Sequence, residues 1–470
     1  MKLRFVLAGV LVLLAAIFQI GALPLLDEES YLDIAGQLDW ARPYDWWRPW
    51  QPWGHERPEN AYLYAHPPGH LWWVAALGAN RWLAILPLAA LLGFSAGALA
   101  ERYGGVTGAV LFATSPILWL ALQAGLLPDL GVVAFGTAAV AAHVHKRPVL
   151  AGVALAAAAS WKYPALILLL PLLLQGDRRR LLLAFAVPWL GLQLYLAAQY
   201  GAPHLLHVLA NAPEIARGPL PERAAGVLFR LGLVGPPTYL GPITAAALLG
   251  APLALVPDTD HPALLAILGT LGAALLIRAL TALRGSPTER LLGLWALLVV
   301  ASVALAHNYA GGRYLLPAVL PLTLLVGARL PRWGAAAAIP FAALAGAMVL
   351  AERGHMQASA EVVEGLDLDQ PARFTGEWTF RHQMRAKGHV FWSPGEPLES
   401  GELLVVPTHS SPAPVPEGLV RIDVVHSTDA SRFRLIDLQL GIGYHAETLG
   451  PAPFGFGDSP RESATVYRVP

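Results

Sequence analysis

The sequence predicts an all-α polytopic membrane domain followed by a small C-terminal α/β domain, and three observations carry that prediction. Over 470 residues, 55% are hydrophobic and only 14% charged, where soluble proteins carry about a quarter charged residues. Apolar segments of bilayer-spanning length recur as far as residue 351. From about Glu352 the charge density rises and short β-branched runs replace the long apolar ones. The 32 basic and 32 acidic residues balance, so nothing argues for a nucleic-acid partner. The absence of Cys rules out disulfides and thiolate metal sites.

The apolar run at 3–25 follows a Met-Lys-Leu-Arg start, is long enough to span, and lacks a small-residue cleavage site, so it reads as an uncleaved first span. Further spans are expected at 81–100, 106–124, 129–145, 149–161, 164–175, 181–199, 238–256, 263–283, 291–306, 315–330 and 333–351. Basic groups fix their orientation. Lys2 and Arg4, Arg102, Lys146 and Arg147, Arg178 to Arg180, Arg284 to Arg290, and Arg329 to Arg332 are assigned to the cytoplasm. The stretch 26–80, Pro128-Asp129, Trp161-Lys162-Tyr163 and the segment from Asn308 to Tyr314 then share the opposite face. This parity requires 67–79 to be a surface helix after Pro67-Pro68. It also requires the doubtful piece at 224–236, which holds Arg230, to cross or nearly cross. The total is about 12 or 13 spans.

The external stretch 26–80 contains the highest density of unusual residues. Seven of the 15 Trp (Trp40, Trp46, Trp47, Trp50, Trp53, Trp72 and Trp73) lie there, and indole rings collect where apolar surface meets water. The acidic triplet Asp27, Glu28 and Glu29 opens it. Crowded carboxylates raise one another's pKa, which suits a proton acceptor or a cation ligand; solvated helix ends are the plainer explanation. Beyond residue 352, the runs 402–406, 419–425, 432–438 and 464–469 read as strands separated by Pro and Gly turns. The expected division is a membrane domain, 1–351, and a soluble extracytoplasmic domain, 352–470.

Three later sites could face the triplet. Asp129 follows Pro128 between apolar spans, where an unpaired charge is costly; as a first-turn acid it could equally serve the helix terminus. Lys162 is a lone cation inside the run 149–174. It could snorkel, or mark two short helices meeting at a polar cavity where a phosphate would pair with it. Arg313-Tyr314 follows Gly311-Gly312; a guanidinium fork suits phosphate, and paired glycines allow close backbone approach. His55, His66 and His70 lack fixed helical spacing and are weak metal candidates.

Taken together, these stretches resemble the lipid-linked-sugar glycosyltransferases of the GT-C superfamily, of the aminoarabinose transferase and protein O-mannosyltransferase type. Leu26-Asp27-Glu28-Glu29-Ser30-Tyr31 is similar to the family's Asp-Glu motif, His66-Pro67-Pro68-Gly69 to its Lys/His-Pro-Pro-Leu motif, and Leu127-Pro128-Asp129 to its second acidic loop. Ser160-Trp161-Lys162-Tyr163-Pro164 and Arg313-Tyr314-Leu315-Leu316-Pro317 resemble its later basic segments. The resemblance covers about residues 1–330. It implies inverting hexosyl or pentosyl transfer from a polyprenyl-phosphate carrier, such as undecaprenyl phosphate, to a glycan, lipid or protein acceptor. The reaction would occur at the outer face of a bacterial cytoplasmic membrane.

By that resemblance Asp27 would be the base, and Glu28 and Asp129 would shape the site. Lys162 and Arg313 would neutralise the donor phosphate with Tyr163 and Tyr314 beside them, and His66 and Tyr31 would belong to the substrate loop. Asp27, Asp129 and His66 are the ligands available if a divalent cation takes part, although the basic pair could replace one. Glu29-Ser30 departs from the Thr-Arg pair common in the family. The alternative is a transporter or lipid flippase using Asp129 and Lys162 as a polar pair, but no inverted repeat is visible. A purely structural docking protein would explain neither Lys162 nor the acidic triplet.

Overall fold

The structure is a computed structural model that describes residues 3–45, 66–174, 177–211, 219–236, 262–307, 311–429, 431–445 and 450–470. The expected span 238–256 lies outside the described residues, as do Trp46, Trp47, Trp50, Trp53 and His55.

Apolar runs punctuated by Pro and Gly become helices. In order they are α1 (Leu3–Ile17), α2 (Glu28–Gly36), α3 (Gly69–Ala76), α4 (Arg81–Arg102), α5 (Gly105–Ala113), α6 (Pro116–Gln123), α7 (Pro128–Val144) and α8 (Pro148–Trp161). There follow a 3₁₀ turn at Tyr163–Leu168, α9 (Leu169–Leu173), α10 (Arg178–Tyr200), α11 (His204–Asn211), α12 (Leu220–Leu231), α13 (Pro262–Ala282) and α14 (Pro287–Ala306). A 3₁₀ turn at Gly312–Leu315 leads into α15 (Leu316–Gly327), and α16 (Ala338–Glu364) closes the bundle. Pro at the first position of α6, α7, α8 and α14 sets φ where no backbone donor is needed. Asn80 caps α4, and Ser286 and Glu289 form a capping box on α14.

Among the described residues, five helices are long and apolar enough to cross a membrane; α5 and α6 form a pair bent by 47° that also qualifies together. Shorter apolar helices account for the other expected spans within the described residues. The chain is therefore the predicted all-α membrane fold with a small C-terminal α/β region. Two expectations change. The first apolar run is helical only to Ile17. The 224–236 piece is helical over Leu220–Leu231, about 18 Å at 1.5 Å per residue, and so falls short of a hydrocarbon core of about 30 Å. Its Arg230 is fully buried and donates to the carbonyls of Gly450 (3.2 Å), Pro451 (3.0 Å) and Gly443, so the helix is tied to the C-terminal region.

The bundle has two chemically distinct ends. At one, Tyr103, Arg278 and Arg329 converge on Glu289 at 2.8, 3.1 and 3.3 Å. About 33 Å away, the length of the 22-residue α4, Arg81 meets Glu28. That second end carries the C-terminal strands. These are β1 (Arg373–Phe374), β2 (Val390–Phe391), β3 (Leu403–Pro407), β4 (Val420–His426), β5 (Phe433–Arg434), β6 (Ile436–Asp437), β7 (Ile442–Gly443), β8 (Gly455–Phe456) and β9 (Ser463–Arg468). Five form a sheet of order β2-β1-β3-β9-β4, with β1 parallel to both neighbours and β9 antiparallel to β3 and β4.

Helix α17 (Trp378–Ala386) covers this sheet through Phe380 and Met384, which pack with Phe374, Val405 and Val466. The composition change at residue 352 falls inside α16: Met348 and Val349 belong to the bundle core, and Val362 and Val363 to the sheet core.

Candidate active site

The turn before α2 sends neighbouring carboxylates in opposite directions. Leu25 and Leu26 are buried, with Leu26 in the left-handed region (φ +54°), and Asp27 stands at the α2 N-cap without a side-chain capping bond. Glu28 points inward and is fully buried. It accepts from the backbone N–H of Leu25 (2.7 Å) and Leu126 (2.9 Å) and pairs with Arg81 at 2.8 Å. Arg81 also donates to the carbonyls of Ala22 and Gln123. Glu28 is absent from the cavity walls described below; this carboxylate clamps two loops together. That differs from the expectation of Glu28 in the site, because its charge is already satisfied by Arg81 and two amides. Glu29 faces His382 at 3.3 Å, and burial holds its carboxyl above the ordinary range despite that histidine.

The loop before α7 is held from both sides, by Glu28 on the Leu126 amide and by His70, whose Nε2 lies 2.6 Å from the Leu126 carbonyl. Asp129, in the first turn of α7, does not act as a capping residue; its Oδ1 accepts from Lys162 Nζ at 2.9 Å. Both partners are buried. Asp129 Oδ2 is also buried and has no hydrogen-bond partner among the described residues. Lys162 lies where α8 stops: its backbone is extended (φ −160°, ψ 134°), and Pro164 follows. The long run 149–174 is thus two helical pieces meeting at a cation.

Gly69 lets α3 close on that junction. A Cβ there would sit 2.6 Å from the Ser160 carbonyl oxygen. Tyr31 is buried edge-on to His70, with ring centroids 4.5 Å apart, and the carbonyl of His66 accepts from Tyr44 Oη at 2.8 Å.

Arg313 and Tyr314 arrive on the 3₁₀ turn before α15. Arg313 donates to Tyr314 Oη (2.9 Å), and Lys162 Nζ lies 4.8 Å from the Tyr314 ring centroid. The turn is pinned from outside by the Gly312 N–H, which donates to the Tyr444 carbonyl at 2.7 Å. Glycine is required at this point, since a Cβ on Gly312 would fall 2.3 Å from the Tyr444 ring.

These elements enclose a cavity of about 420 Å³ lined by Asp27, Tyr31, His66, Pro128, Asp129, Lys162, Pro164, His307, Arg313 and Tyr314. Seven of the residues singled out in the sequence therefore share one cavity. Tyr163 does not: its hydroxyl is 2.6 Å from His204 Nδ1 and accepts from Gln193. His307 joins them without having been singled out; it stacks on Tyr314 at 3.9 Å and 11°. Its signal is faint, a single His ending the apolar run of α14. Asp129, Lys162, Pro164, His307 and Tyr314 also line a second, apolar cavity of about 170 Å³, which runs between Val132, Leu168, Trp295 and Val303. Among the described residues no three His, Asp or Glu side chains come together as ligands for a cation. Asp27, Asp129 and His66 share a cavity without forming such a set.

The Trp residues split. Trp40 is exposed, whereas Trp73 donates to the Ala84 carbonyl (3.0 Å) and packs on Trp161.

No protein-family model matches the chain, and no curated protein matches it. Among solved structures, ArnT from Cupriavidus metallidurans in the apo state is similar at 16% identity and a TM-score of 0.39, over 85% of this chain and 92% of that chain. ArnT from the same organism bound to undecaprenyl phosphate is similar at 16% identity and a TM-score of 0.37, with the same coverage.

Proposed function

We propose that the chain is an integral membrane glycosyltransferase that moves a sugar from a polyprenyl-phosphate carrier to an acceptor hydroxyl, with inversion, at the outer face of the cytoplasmic membrane. The observation that carries this reading is one cavity that holds a carboxylate, Asp27, and two cations, Lys162 and Arg313, and that shares its wall with an apolar cavity.

Displacement at an anomeric carbon needs a base for the incoming hydroxyl and positive charge for the departing phosphate. The acceptor oxygen forms the new bond to the anomeric carbon. Its proton passes to Asp27. The carbon–oxygen bond to phosphate breaks, and the phosphate leaves with the electron pair. Arg313 and Lys162 stabilise that developing charge, with Tyr314 held against both. Asp129 keeps Lys162 in place, and its unpartnered Oδ2 offers an acceptor to a sugar hydroxyl. The apolar cavity beside the cations takes the first isoprene units, because a chain without polar atoms has no better place near the phosphate.

His66 and Tyr31 line the same space as the substrate loop. Glu28 and Tyr163 act on it only through the elements that they hold. The alternative transporter reading keeps the buried Asp129–Lys162 pair as its one support and leaves Asp27 and Arg313 in the same cavity without a task.

Asp27→Asn tests the assignment. With the full chain in nanodiscs and a radiolabelled polyprenyl-phosphate sugar, transfer is expected to fall by about 10²–10⁴-fold, the range for loss of a general base. Binding of polyprenyl phosphate should persist. Undiminished transfer by this variant removes Asp27 from the role of base.

A further inference from the structure

Asp27 also belongs to another cavity. A cleft of about 260 Å³ lies between α2 and α17, lined on one side by Asp27, Glu29 and Asp33 and on the other by Trp378, Arg381 and Arg385. The two cavities therefore meet at the carboxylate assigned as base. One wall of the cleft comes from the membrane bundle and the other from the C-terminal region. The walls are joined at Thr379, which donates to the Pro24 carbonyl (3.3 Å). We propose that this cleft is the acceptor site and that its ligand is a neutral saccharide unit, one hydroxyl of which reaches Asp27. This inference rests on the glycosyltransferase reading of Asp27.

The polar groups of the cleft come in opposed pairs. Glu29 faces His382 at 3.3 Å, and Glu377 accepts from Arg381 at 2.9 Å. An anionic ligand entering here meets the carboxylates of Asp27, Glu29, Asp33 and Glu377; a cationic one meets Arg381, Arg385 and His382. Sugar hydroxyls donate and accept at the same atom, so they can bond with both sets without bringing a net charge. The indole of Trp378 supplies the apolar surface against which a sugar ring's C–H face rests. Its backbone is in the left-handed region (φ +63°), a conformation that a bulky residue adopts only when its surroundings impose it. That turn follows Gly376 (φ +103°) and the Glu377 N–H bond to the Ser410 carbonyl, so the segment just after β3 fixes where this turn stands.

The test uses the full chain in nanodiscs with maltotriose, mannotriose and chitotriose as probes, read by saturation-transfer NMR. The variants are Arg385→Gln and Trp378→Gly; glycine accepts the positive φ, so the second variant removes the indole while easing the backbone. The expected result is binding of at least one trisaccharide to the wild-type chain, weakened at least about tenfold in both variants, with polyprenyl-phosphate binding unchanged. The proposal is overturned if no trisaccharide binds, if the variants bind as well as wild type, or if oligolysine or a sugar phosphate shows the dependence on Trp378 and Arg385 instead. Loss of polyprenyl-phosphate binding by the wild-type chain, or full transfer by Asp27→Asn, would count against the enzyme reading. A chain that binds the lipid phosphate without any saccharide signal loses only the cleft assignment.

Discussion

Glu28 and Asp27 adjoin in the chain and have opposite surroundings. Glu28 has exchanged solvent for Arg81 and two backbone amides, so its removal, or that of its partner, leaves a buried group uncompensated. Arg81→Met should destabilise the chain by about 3–5 kcal/mol, seen as a lower midpoint of thermal unfolding in detergent; an unchanged midpoint would show that the clamp holds nothing. Glu29 predicts a pH effect of definite sign. Its folded carboxyl is held above the ordinary value of 4.5, chiefly by burial, so the folded chain binds the proton more tightly than the unfolded one. Stability must then fall as pH rises from about that ordinary value through the raised one. Glu29→Gln should flatten this part of the stability–pH curve, measured as unfolding midpoint against pH, and an unaltered slope would rule out Glu29 as its source.

At the scale of elements, the local punctuation of the chain was informative and its distant partnerships were not. Lys162-Tyr163-Pro164 within a long apolar run foretold two helical pieces meeting at a polar cavity, because a charge and a proline act on their immediate neighbours. Pro67-Pro68 likewise foretold the short α3. Nothing local distinguishes Glu28 from Asp27; the difference is made by Arg81, 53 positions further on. The length of α12 was also hidden, since its Arg230 is satisfied by carbonyls more than 200 residues away. Gly69 is where α3 rests on the end of α8. Gly69→Ala places a methyl group against the Ser160 backbone and should cost about 1–3 kcal/mol by overpacking. Sugar transfer should fall with it, because His66 and Lys162 flank that contact. Activity and unfolding midpoint equal to wild type would show that the contact is slack.

For the whole molecule, the strands and the change in composition near residue 352 were legible, whereas the attachment of the C-terminal region to the bundle was not. The sequence offered alternating β-branched runs but no sign that α17 would face α2, because the two helices lie far apart in the chain. Arg230 is a polar anchor between the two, donating to three carbonyls of the C-terminal region. Arg230→Met should leave those carbonyls unsatisfied and loosen the attachment. Amide hydrogen exchange around Gly443 and Pro451 should accelerate by about fivefold or more, as for a loss of about 1–3 kcal/mol; exchange at the wild-type rate would mean that the anchor lies elsewhere.

The single hydrogen bond from the Gly312 N–H to the Tyr444 carbonyl has a thermodynamic meaning as well as a structural one. It ties the turn that carries Arg313 to the C-terminal region, the unit that also carries α17. Any free energy by which a lipid phosphate on Arg313 favours one arrangement of that unit is returned, by linkage, as the same factor in affinity at the cleft beside Asp27. Donor and acceptor on this chain would then be coupled through the protein as well as where they meet at Asp27, and the order in which they arrive would leave the total binding energy unchanged.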